Sequence, residues 1–336
     1  MFLSKPSLIA EISANHCGDF RLAKKLIFCA KKYGADAVKL QTYKPETMTL
    51  NSKKKYFIIQ TGIWKGYNYW QLYKKAQTPW EWHKKLFDYA KKLNITIFST
   101  PFDESAVDFL EKLKCPIYKV SSFEMTDLAL IKKIAQTKKP MIISTGTSSL
   151  SEIEMAFKQA KKFGSKDITL LYCVSNYPSK INDFHLNNIK LMKKKFKCKV
   201  GLSDHSNDNR IAMLSVAMGA EIFEKHIGLE NQKKGLDIKF ATKGKDILKY
   251  KKDLITAYKL TKSEKFMREK SENISRQYRR TIFAIDKIKK GDKFTNKNIK
   301  RIRPGYGISA KFYLKMINKK SLKNYQKGEP IKPKSF

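Results

Sequence analysis

Short apolar runs alternate with amphipathic segments from residue 8 to residue 261, and this alternation most constrains the fold of the chain. Each run is a few residues long and almost continuously apolar, which is typical of a parallel strand buried on both faces. The segments between the runs have helical spacing, and several begin with a capping residue. The predicted strands are 8–14, 37–42, 95–100, 117–121, 141–145, 168–173, 199–203 and 220–226, and the predicted helices include 20–33, 80–93, 105–113, 126–136, 149–163 and 246–261.

Two topologies have this alternation, the (β/α)8 barrel and the open, doubly wound sheet. Two observations favour the barrel. The strand count is eight, and polar residues lie at the C-terminal end of every predicted strand instead of clustering at one switch point. In a barrel these ends converge on one mouth, where active sites lie. The predicted fold class is therefore α/β, a (β/α)8 TIM barrel, with these residues at its mouth: Glu11, Lys39, Gln41, Thr100, Lys119, Ser122, Ser144, Ser175, His205 and His226.

One connection, 43–79, is too long for an ordinary βα loop and is rich in aromatic residues. Long loops in compact domains are often functional lids or binding loops. A small subdomain that packs on the barrel rim is an equally good interpretation. We call this segment the insertion.

The pattern changes after the last predicted helix. We predict a barrel domain over 1–262, a charged linker over 263–280 and a small β-rich domain over 281–336, with turn signals such as Gly291-Asp292 and Gly305-Tyr306-Gly307. A domain of this size is close to the lower limit for independent stability. Docking onto the barrel or onto a partner subunit would stabilise it.

Basic residues outnumber acidic ones by 70 to 30, which gives a formal net charge of +40. Such a charge attracts nucleic acid when it forms a patch. Here lysine doublets recur along the whole chain, mostly on the polar faces of predicted helices, and only eight basic residues are arginine. We therefore expect solvated helix surfaces and no nucleic-acid partner.

The chain has no apolar run of the roughly 20 residues needed to span a bilayer, and Glu11 interrupts any signal-peptide core. Its five cysteines are scattered singly, which argues against a disulfide framework and a cysteine zinc site. We expect a cytoplasmic protein with no membrane partner.

Two histidines, His205 and His226, stand at the ends of neighbouring predicted strands. Their imidazoles would be close enough to share a divalent cation. With two protein nitrogens, water or substrate oxygens would complete the coordination, which suits Mn²⁺ or Mg²⁺. Asp204 is expected to orient His205 from behind.

Lys39 and Lys119 lie inside apolar strand runs, where an unpaired lysine is costly. Three interpretations are open: structural pairing with Glu11 or Glu124, a Schiff-base lysine, and a clamp for phosphate or carboxylate. Hydroxyl groups at nearby strand ends favour the clamp because they donate to phosphate oxygens. No Walker loop and no dinucleotide fingerprint occurs.

Eight short motifs occur along the chain: AEISANH at 10–16, VKLQT at 38–42, STPF at 99–102, YKVSSFE at 118–124, STG at 144–146, GLSDH at 201–205, EKH at 224–226 and RPGYG at 303–307. These motifs resemble, in order and nearly end to end, the sialic acid synthase family. Within the family, the SANH form of the first motif and parts of the insertion resemble the subgroup that acts on a 6-deoxy amino sugar.

The resemblance implies a barrel followed by a small antifreeze-protein-like (SAF) domain, in a homodimer whose SAF domain reaches the partner's active site. It also implies condensation of phosphoenolpyruvate with an open-chain amino sugar. Glu11, then Glu124, are candidates for positioning a water or moving its proton, and His226 belongs to the catalytic set and to the metal site. Phosphoenolpyruvate would bind Lys39, Thr100, Lys119, Ser122, Ser144 and Ser175, and the sugar would bind Gln41, Tyr177, Asp237 and Arg303.

Overall fold

The structure, a computed structural model, describes residues 5–263 and 265–336. The chain divides into two compact units, Met1–Lys262 and Ser263–Phe336. Among the described residues, no helix is long and apolar enough to cross a membrane.

The first unit is built around eight parallel strands that close into a barrel. Each strand pairs with the next one along the chain, and β1 also pairs with β8. A two-residue strand, β9 (Thr242–Lys243), pairs in parallel with the end of β8. The predicted barrel is thus confirmed, and its strands are β1 (Ser7–Glu11), β2 (Ala37–Thr42), β3 (Thr96–Pro101), β4 (Tyr118–Val120), β5 (Met141–Ser144), β6 (Ile168–Cys173), β7 (Lys199–Asp204) and β8 (Ile222–Gly228).

The helices between the strands begin where the sequence supplies caps. The Asp103 side chain accepts a hydrogen bond from Ala106 N, and Ser149 forms a capping box with Glu152. The helices are α1 (Phe20–Lys32), α2 (Pro45–Met48), α3 (Tyr69–Ala76), α4 (Trp80–Lys92), α5 (Glu104–Lys112), α6 (Leu128–Gln136), α7 (Leu150–Lys162), α8 (Asn187–Phe196), α9 (Asn209–Ala217) and α10 (Lys245–Thr261), with short 3-10 helices at Ser13–His16, Lys55–Phe57 and Ile181–Asp183.

Strand alternation decides which polar residues enter the barrel. All seven residues of β8 are buried, yet successive side chains point to opposite faces of the sheet. Glu224 and His226 therefore share the inner face, while Lys225 points outward and lies 5.7 Å from the ring centroid of Tyr250 on α10. The candidate site lies on this polar inner face, toward the C-terminal ends of the strands.

The second unit has its own small core around an antiparallel pair of strands, β10 (Thr281–Ala284) and β11 (Ile299–Ile302). Buried Phe294, Met316 and Ile331 belong to that core. The segment that we predicted to be a linker contains a 3-10 helix, Lys270–Tyr278, and is grouped with this unit. A second 3-10 helix, Ala310–Phe312, leads into α11 (Tyr313–Met316).

Candidate active site

Four buried charges from β1, β2, β4 and β8 meet inside the barrel. The Lys39 ammonium forms an ion pair with Glu11 and lies 3.9 Å from Glu224 Oε2. Glu224 Oε1 lies 3.8 Å from Lys119 Nζ and accepts a hydrogen bond from Ser203 Oγ at 3.2 Å. The two lysines are only 3% and 2% exposed. The cluster thus holds two cations and two anions away from water, a costly arrangement that a binding role explains.

The charges shift one another's protonation. Burial raises the pKa of Glu11 despite the nearby lysine and histidine charges. Burial alone would raise the pKa of Glu224 too, but Lys119 and Lys39 together hold it well below its usual value. Burial lowers the pKa of Lys119, whereas Glu11 and Glu224 outweigh burial at Lys39 and raise its pKa. Such opposed shifts in one cleft are typical of functional sites.

The lysine pairing corrects one detail of the sequence prediction. Lys39 pairs with Glu11 as one interpretation expected. The carboxylate nearest to Lys119 at ion-pair distance is Glu224, not Glu124, whose Oε2 accepts a hydrogen bond from Ser121 Oγ. Sequence reasoning gave Glu224 no role, although its two-residue spacing from His226 within a predicted strand places both on one face.

Hydroxyl groups lie at, or just after, the C-terminal ends of four neighbouring strands, β3 to β6. Thr100 Oγ1 accepts a hydrogen bond from Lys39 Nζ at 2.9 Å, and Ser122 Oγ accepts one from Gly146 N at 3.1 Å. A Cβ on Gly146 would lie 2.1 Å from Ser175 Oγ, so only glycine lets the three segments approach. Ser144 Oγ is buried and has no hydrogen-bond partner among the described residues. These groups are the predicted phosphoenolpyruvate ligands, and they do lie together at one end of the barrel.

His205 and His226 lie side by side, with ring centroids 5.4 Å apart. His205 Nδ1 is 3.1 Å from Val174 O and 3.8 Å from Cys173 Sγ, which leaves Nε2 for another partner. His226 Nδ1 is buried and makes no hydrogen bond within the described chain, although Asp237 Oδ2 lies 3.4 Å away. Two adjacent imidazoles, with Nε2 of His205 left for another partner, fit an open metal site whose other ligands are water or substrate oxygens.

The prediction that Asp204 orients His205 is wrong. Asp204 Oδ2 accepts hydrogen bonds from Lys225 Nζ at 3.1 Å and from the Tyr250 hydroxyl at 2.9 Å. Its other oxygen accepts from Ser206 N and Ser206 Oγ. The physical reason is strand alternation, because Asp204 is paired in register with the outward-facing Lys225. Asp204 therefore ties the barrel wall to α10.

A cavity of about 390 Å³, which we call the acceptor cavity, opens beside the histidines. Its polar lining includes Gln41, Glu124 and Asp237, and the ring of Tyr177 lines it next to His205, with centroids 4.5 Å apart. Burial raises the pKa of Glu124 to about 7, although Lys119 opposes the shift. Asp237 is also buried, but the nearby His226 ring brings its pKa below the usual value. The predicted sugar-binding residues of the barrel thus share one cavity.

The insertion forms much of the apolar wall of this cavity. Trp64, Tyr69 and Tyr73 line it, and Tyr73 stacks against Tyr69 with centroids 6.1 Å apart. The insertion thus lines the cavity and also packs on the barrel loops that carry Leu236 and Tyr177, and both interpretations describe part of these contacts. By contrast, Tyr56 of the same insertion is 88% exposed.

Two further positions concern the predicted sugar site. Arg303, a predicted sugar ligand, is exposed in the second unit, directly after β11. Asn15 was not predicted, yet it is buried, donates to Ile227 O at 3.0 Å and accepts from Asp237 N at 3.2 Å. Its position inside the first motif is the sequence signal that would have pointed to it. Asn15 thereby holds the loop that carries Asp237.

In the described residues, no group of three or more His, Cys, Asp or Glu side chains is arranged to hold a metal ion by itself. A buried ionic cluster, a set of hydroxyl groups and an adjoining cavity lie at one barrel mouth and define the class: the protein is a (β/α)8-barrel enzyme.

Comparison with known proteins gives the particular family. Residues 26–265 match the NeuB family, and the chain belongs to it. The chain is 41% identical over 334 residues to a pseudaminic acid synthase of Helicobacter pylori, covering 98% of this chain and 97% of that one. It is 38% identical over 343 residues to an N,N'-diacetyllegionaminic acid synthase of Campylobacter jejuni, covering 98% and 100%. These matches confirm the family predicted from the motifs.

A solved structure agrees with the fold. The N-acetylneuraminic acid synthetase of Leptospira borgpetersenii, crystallised with citrate, superposes with a TM-score of 0.73 at 31% sequence identity. The match covers 82% of this chain and 91% of that chain.

Proposed function

We propose that the protein is a pseudaminic acid synthase, a transferase that condenses phosphoenolpyruvate with 2,4-diacetamido-2,4,6-trideoxy-L-altrose and releases phosphate. The observation that carries the proposal is the junction of two compartments at one barrel mouth. One compartment is the buried cluster of lysines and hydroxyl groups. The other is the acceptor cavity, whose lining is mostly apolar. The 41% identity to a pseudaminic acid synthase over nearly the whole chain supports this activity, and the family resemblance implies the substrate pair.

The lysine cluster suits the anionic substrate. Phosphoenolpyruvate carries a phosphate and a carboxylate, and charge-assisted hydrogen bonds from ammonium groups and hydroxyls bind both. Lys39 and Lys119 are already desolvated, so their charges act in a medium of low dielectric constant. Ser144 Oγ, which lacks a partner, is free to donate to a phosphate oxygen. Thr100, Ser122 and Ser175 complete this set.

In the proposed reaction, the methylene carbon of phosphoenolpyruvate forms a bond to the aldehyde carbon of the open-chain sugar, and the aldehyde oxygen takes a proton. Positive charge develops at the neighbouring carbon of phosphoenolpyruvate, and water adds there and loses a proton. In the resulting hemiketal phosphate, the hydroxyl oxygen forms the ketone C=O as the carbon–oxygen bond to phosphate breaks, and the hydroxyl proton leaves with the phosphate. Glu224, held ionised between the two lysines, faces the developing positive charge and stabilises it.

Two carboxyl groups are placed to handle the water proton. Glu11 lies within the ionic cluster, where burial raises its pKa and makes it a better base. Glu124 lines the acceptor cavity, and its pKa of about 7 lets it exchange protons near neutral pH. We assign the water to Glu11 first and to Glu124 second.

A divalent metal, Mn²⁺ or Mg²⁺, would be held by His205 and His226. Such a cation would supply Lewis-acid polarisation of the sugar aldehyde. Gln41, Tyr177 and Asp237 line the cavity where the sugar hydroxyls would bind.

We also propose a cytoplasmic homodimer in which the second unit is an SAF domain. Arg303 would then reach the sugar from the partner subunit. In support, Arg303 is exposed in its own unit, and a free arginine can bind a sugar hydroxyl or the substrate carboxylate. All five cysteines are free, which agrees with a reducing compartment.

The second candidate is a sister activity with the same chemistry on a mannose-configured sugar. It is favoured by 38% identity to an N,N'-diacetyllegionaminic acid synthase over almost the whole chain. Its acceptor is also a 6-deoxy sugar with two acetamido groups, so the wall of the cavity does not decide between them.

The test is phosphate release from phosphoenolpyruvate by the purified protein with Mn²⁺ and one of three acceptors: the altrose derivative, N-acetylmannosamine, or 2,4-diacetamido-2,4,6-trideoxymannose. We expect release with the altrose derivative and loss of release on chelation. Preference for a mannose-configured sugar would establish the sister activity. No release with any of them, from a folded protein, would refute the condensation.

A further inference from the structure

A second cavity, of about 470 Å³, lies directly beside the acceptor cavity, and we call it the basic cavity. Three residues line both cavities: Ala14, Trp64 and Leu236. Of these, Trp64 has by far the largest side chain. The indole of Trp64 therefore forms most of the partition between the two spaces.

The indole is held in place from both sides. Trp64 Nε1 donates a hydrogen bond to Leu236 O at 3.3 Å, which ties the insertion to the loop carrying Asp237. The Trp64 ring also packs against Tyr177, with centroids 5.4 Å apart. Moving the indole aside would break the hydrogen bond and uncover Tyr177, so the partition resists displacement.

The two cavities differ in chemistry. The acceptor cavity is mostly aromatic and aliphatic, with polar groups at Glu124, His226 and Asp237. In the basic cavity, the described lining residues include no aspartate or glutamate. Its lysines are Lys75, Lys233, Lys234 and Lys239.

We propose that Trp64 is a specificity-determining residue, a partition that limits the size of the N-acyl groups on the acceptor sugar. The inference rests on the proposed function, because it takes an N-acylated sugar as the occupant of the acceptor cavity. A longer acyl chain on the side facing Trp64 meets a fixed indole. Removing the indole joins the two cavities and gives the chain a path into the basic cavity.

The experiment is titration calorimetry of sugar binding to the full chain, without phosphoenolpyruvate, so that no turnover is needed. The ligands are the altrose derivative and analogues of it in which one of the two acetyl groups is replaced by a propionyl, butyryl or succinyl group. The variants are Trp64→Ala, Trp64→Phe, which keeps a ring at the partition, and Tyr56→Ala, which removes an exposed aromatic residue of the same insertion.

At one of the two nitrogens, we expect each added methylene to weaken binding to the wild type by roughly 10-fold or more. Trp64→Ala should abolish that penalty, Trp64→Phe should retain most of it, and Tyr56→Ala should match the wild type. In Trp64→Ala, the succinyl sugar should bind more tightly than the butyryl sugar, and this gain should vanish at high ionic strength. The lysines produce that gain, whereas a general loosening of the site would not.

The inference is overturned if the acyl series gives the same affinities in the wild type and Trp64→Ala, or if no sugar of the series binds. Failure of the proposed function is separate, because it would appear as tight, size-selective binding without phosphate release in the assay described above.

Discussion

Replacing Asp204 by asparagine tests whether this carboxylate stabilises the barrel wall or serves the metal site. In the folded protein, Asp204 Oδ2 is 3.1 Å from Lys225 Nζ and 2.9 Å from the Tyr250 hydroxyl, and all three residues are at least 97% buried. Asparagine keeps an oxygen for Ser206 N but leaves the Lys225 charge buried without a counter-charge. Breaking a buried pair in this way typically costs about 3–5 kcal/mol.

The cost is measured by urea denaturation and by thermal melting. All four tryptophans lie between residues 64 and 82, so their fluorescence reports on the barrel alone. For a domain of this size, the expected loss corresponds to a melting temperature about 6–20 °C lower. At a temperature where both proteins are folded, kcat and Mn²⁺ affinity should stay close to the wild-type values, because Asp204 points away from His205.

A double variant, Asp204→Asn with Lys225→Met, is the matched control. It removes the orphaned charge, so we expect it to recover a large part of the lost stability. The reasoning would be refuted by a single variant with wild-type stability and greatly weakened Mn²⁺ binding, since that pattern would return Asp204 to the metal site.

Three further predictions concern the histidines and Glu124. His205→Ala and His226→Ala should each lose Mn²⁺ binding in calorimetry and lose phosphate release. An unchanged circular dichroism spectrum would show that each variant is folded. Full activity in either variant after exhaustive chelation would exclude the metal site. The pKa of about 7 at Glu124 predicts that kcat/KM falls as the pH drops below about 7, because the carboxylate must be ionised to accept a proton, and this step should be missing from the pH profile of Glu124→Gln. An identical profile in that variant would remove Glu124 from proton transfer. Burial lowers the pKa of His83 to about 4, so between about pH 6.5 and 4 the unfolded chain binds a proton that the folded protein does not. The free energy of unfolding should therefore fall as the pH drops from 6.5 toward 4, by up to about 3 kcal/mol from this residue. Urea titrations at several pH values should show a shallower loss in His83→Gln, and equal slopes would contradict the assignment.

The positions of the strands were readable from the sequence because strands buried on both faces leave a strong local signal. Their polar C-terminal residues followed from chain order, since a barrel brings all such ends to one mouth. Chain order therefore predicts that Lys39, Lys119 and His226 lie near one another.

Pairwise contacts were less readable. The sequence offered Glu11 or Glu124 as partners for the buried lysines, and the structure adds Glu224, which sits between both. Asp204 was assigned to its chain neighbour His205, although adjacent strand residues point to opposite faces. Strict use of the two-residue alternation would have corrected both points.

The insertion marks the limit of sequence reasoning. Its length and aromatic content predicted either a binding loop or a packing subdomain, and nothing local separated the two. Only the tertiary structure placed Trp64 against Leu236 and Tyr177, which are 172 and 113 positions away in the chain.

The sequence by itself determined the barrel and the set of chemical groups at its mouth, because apolar periodicity and strand order are local properties of the chain. The tertiary structure alone decided which lysine faces which carboxylate, that Asp204 supports the wall, and that one indole divides two cavities. These depend on side-chain direction and on contacts between segments far apart in sequence, where the loss of water and the approach of charges set the energies.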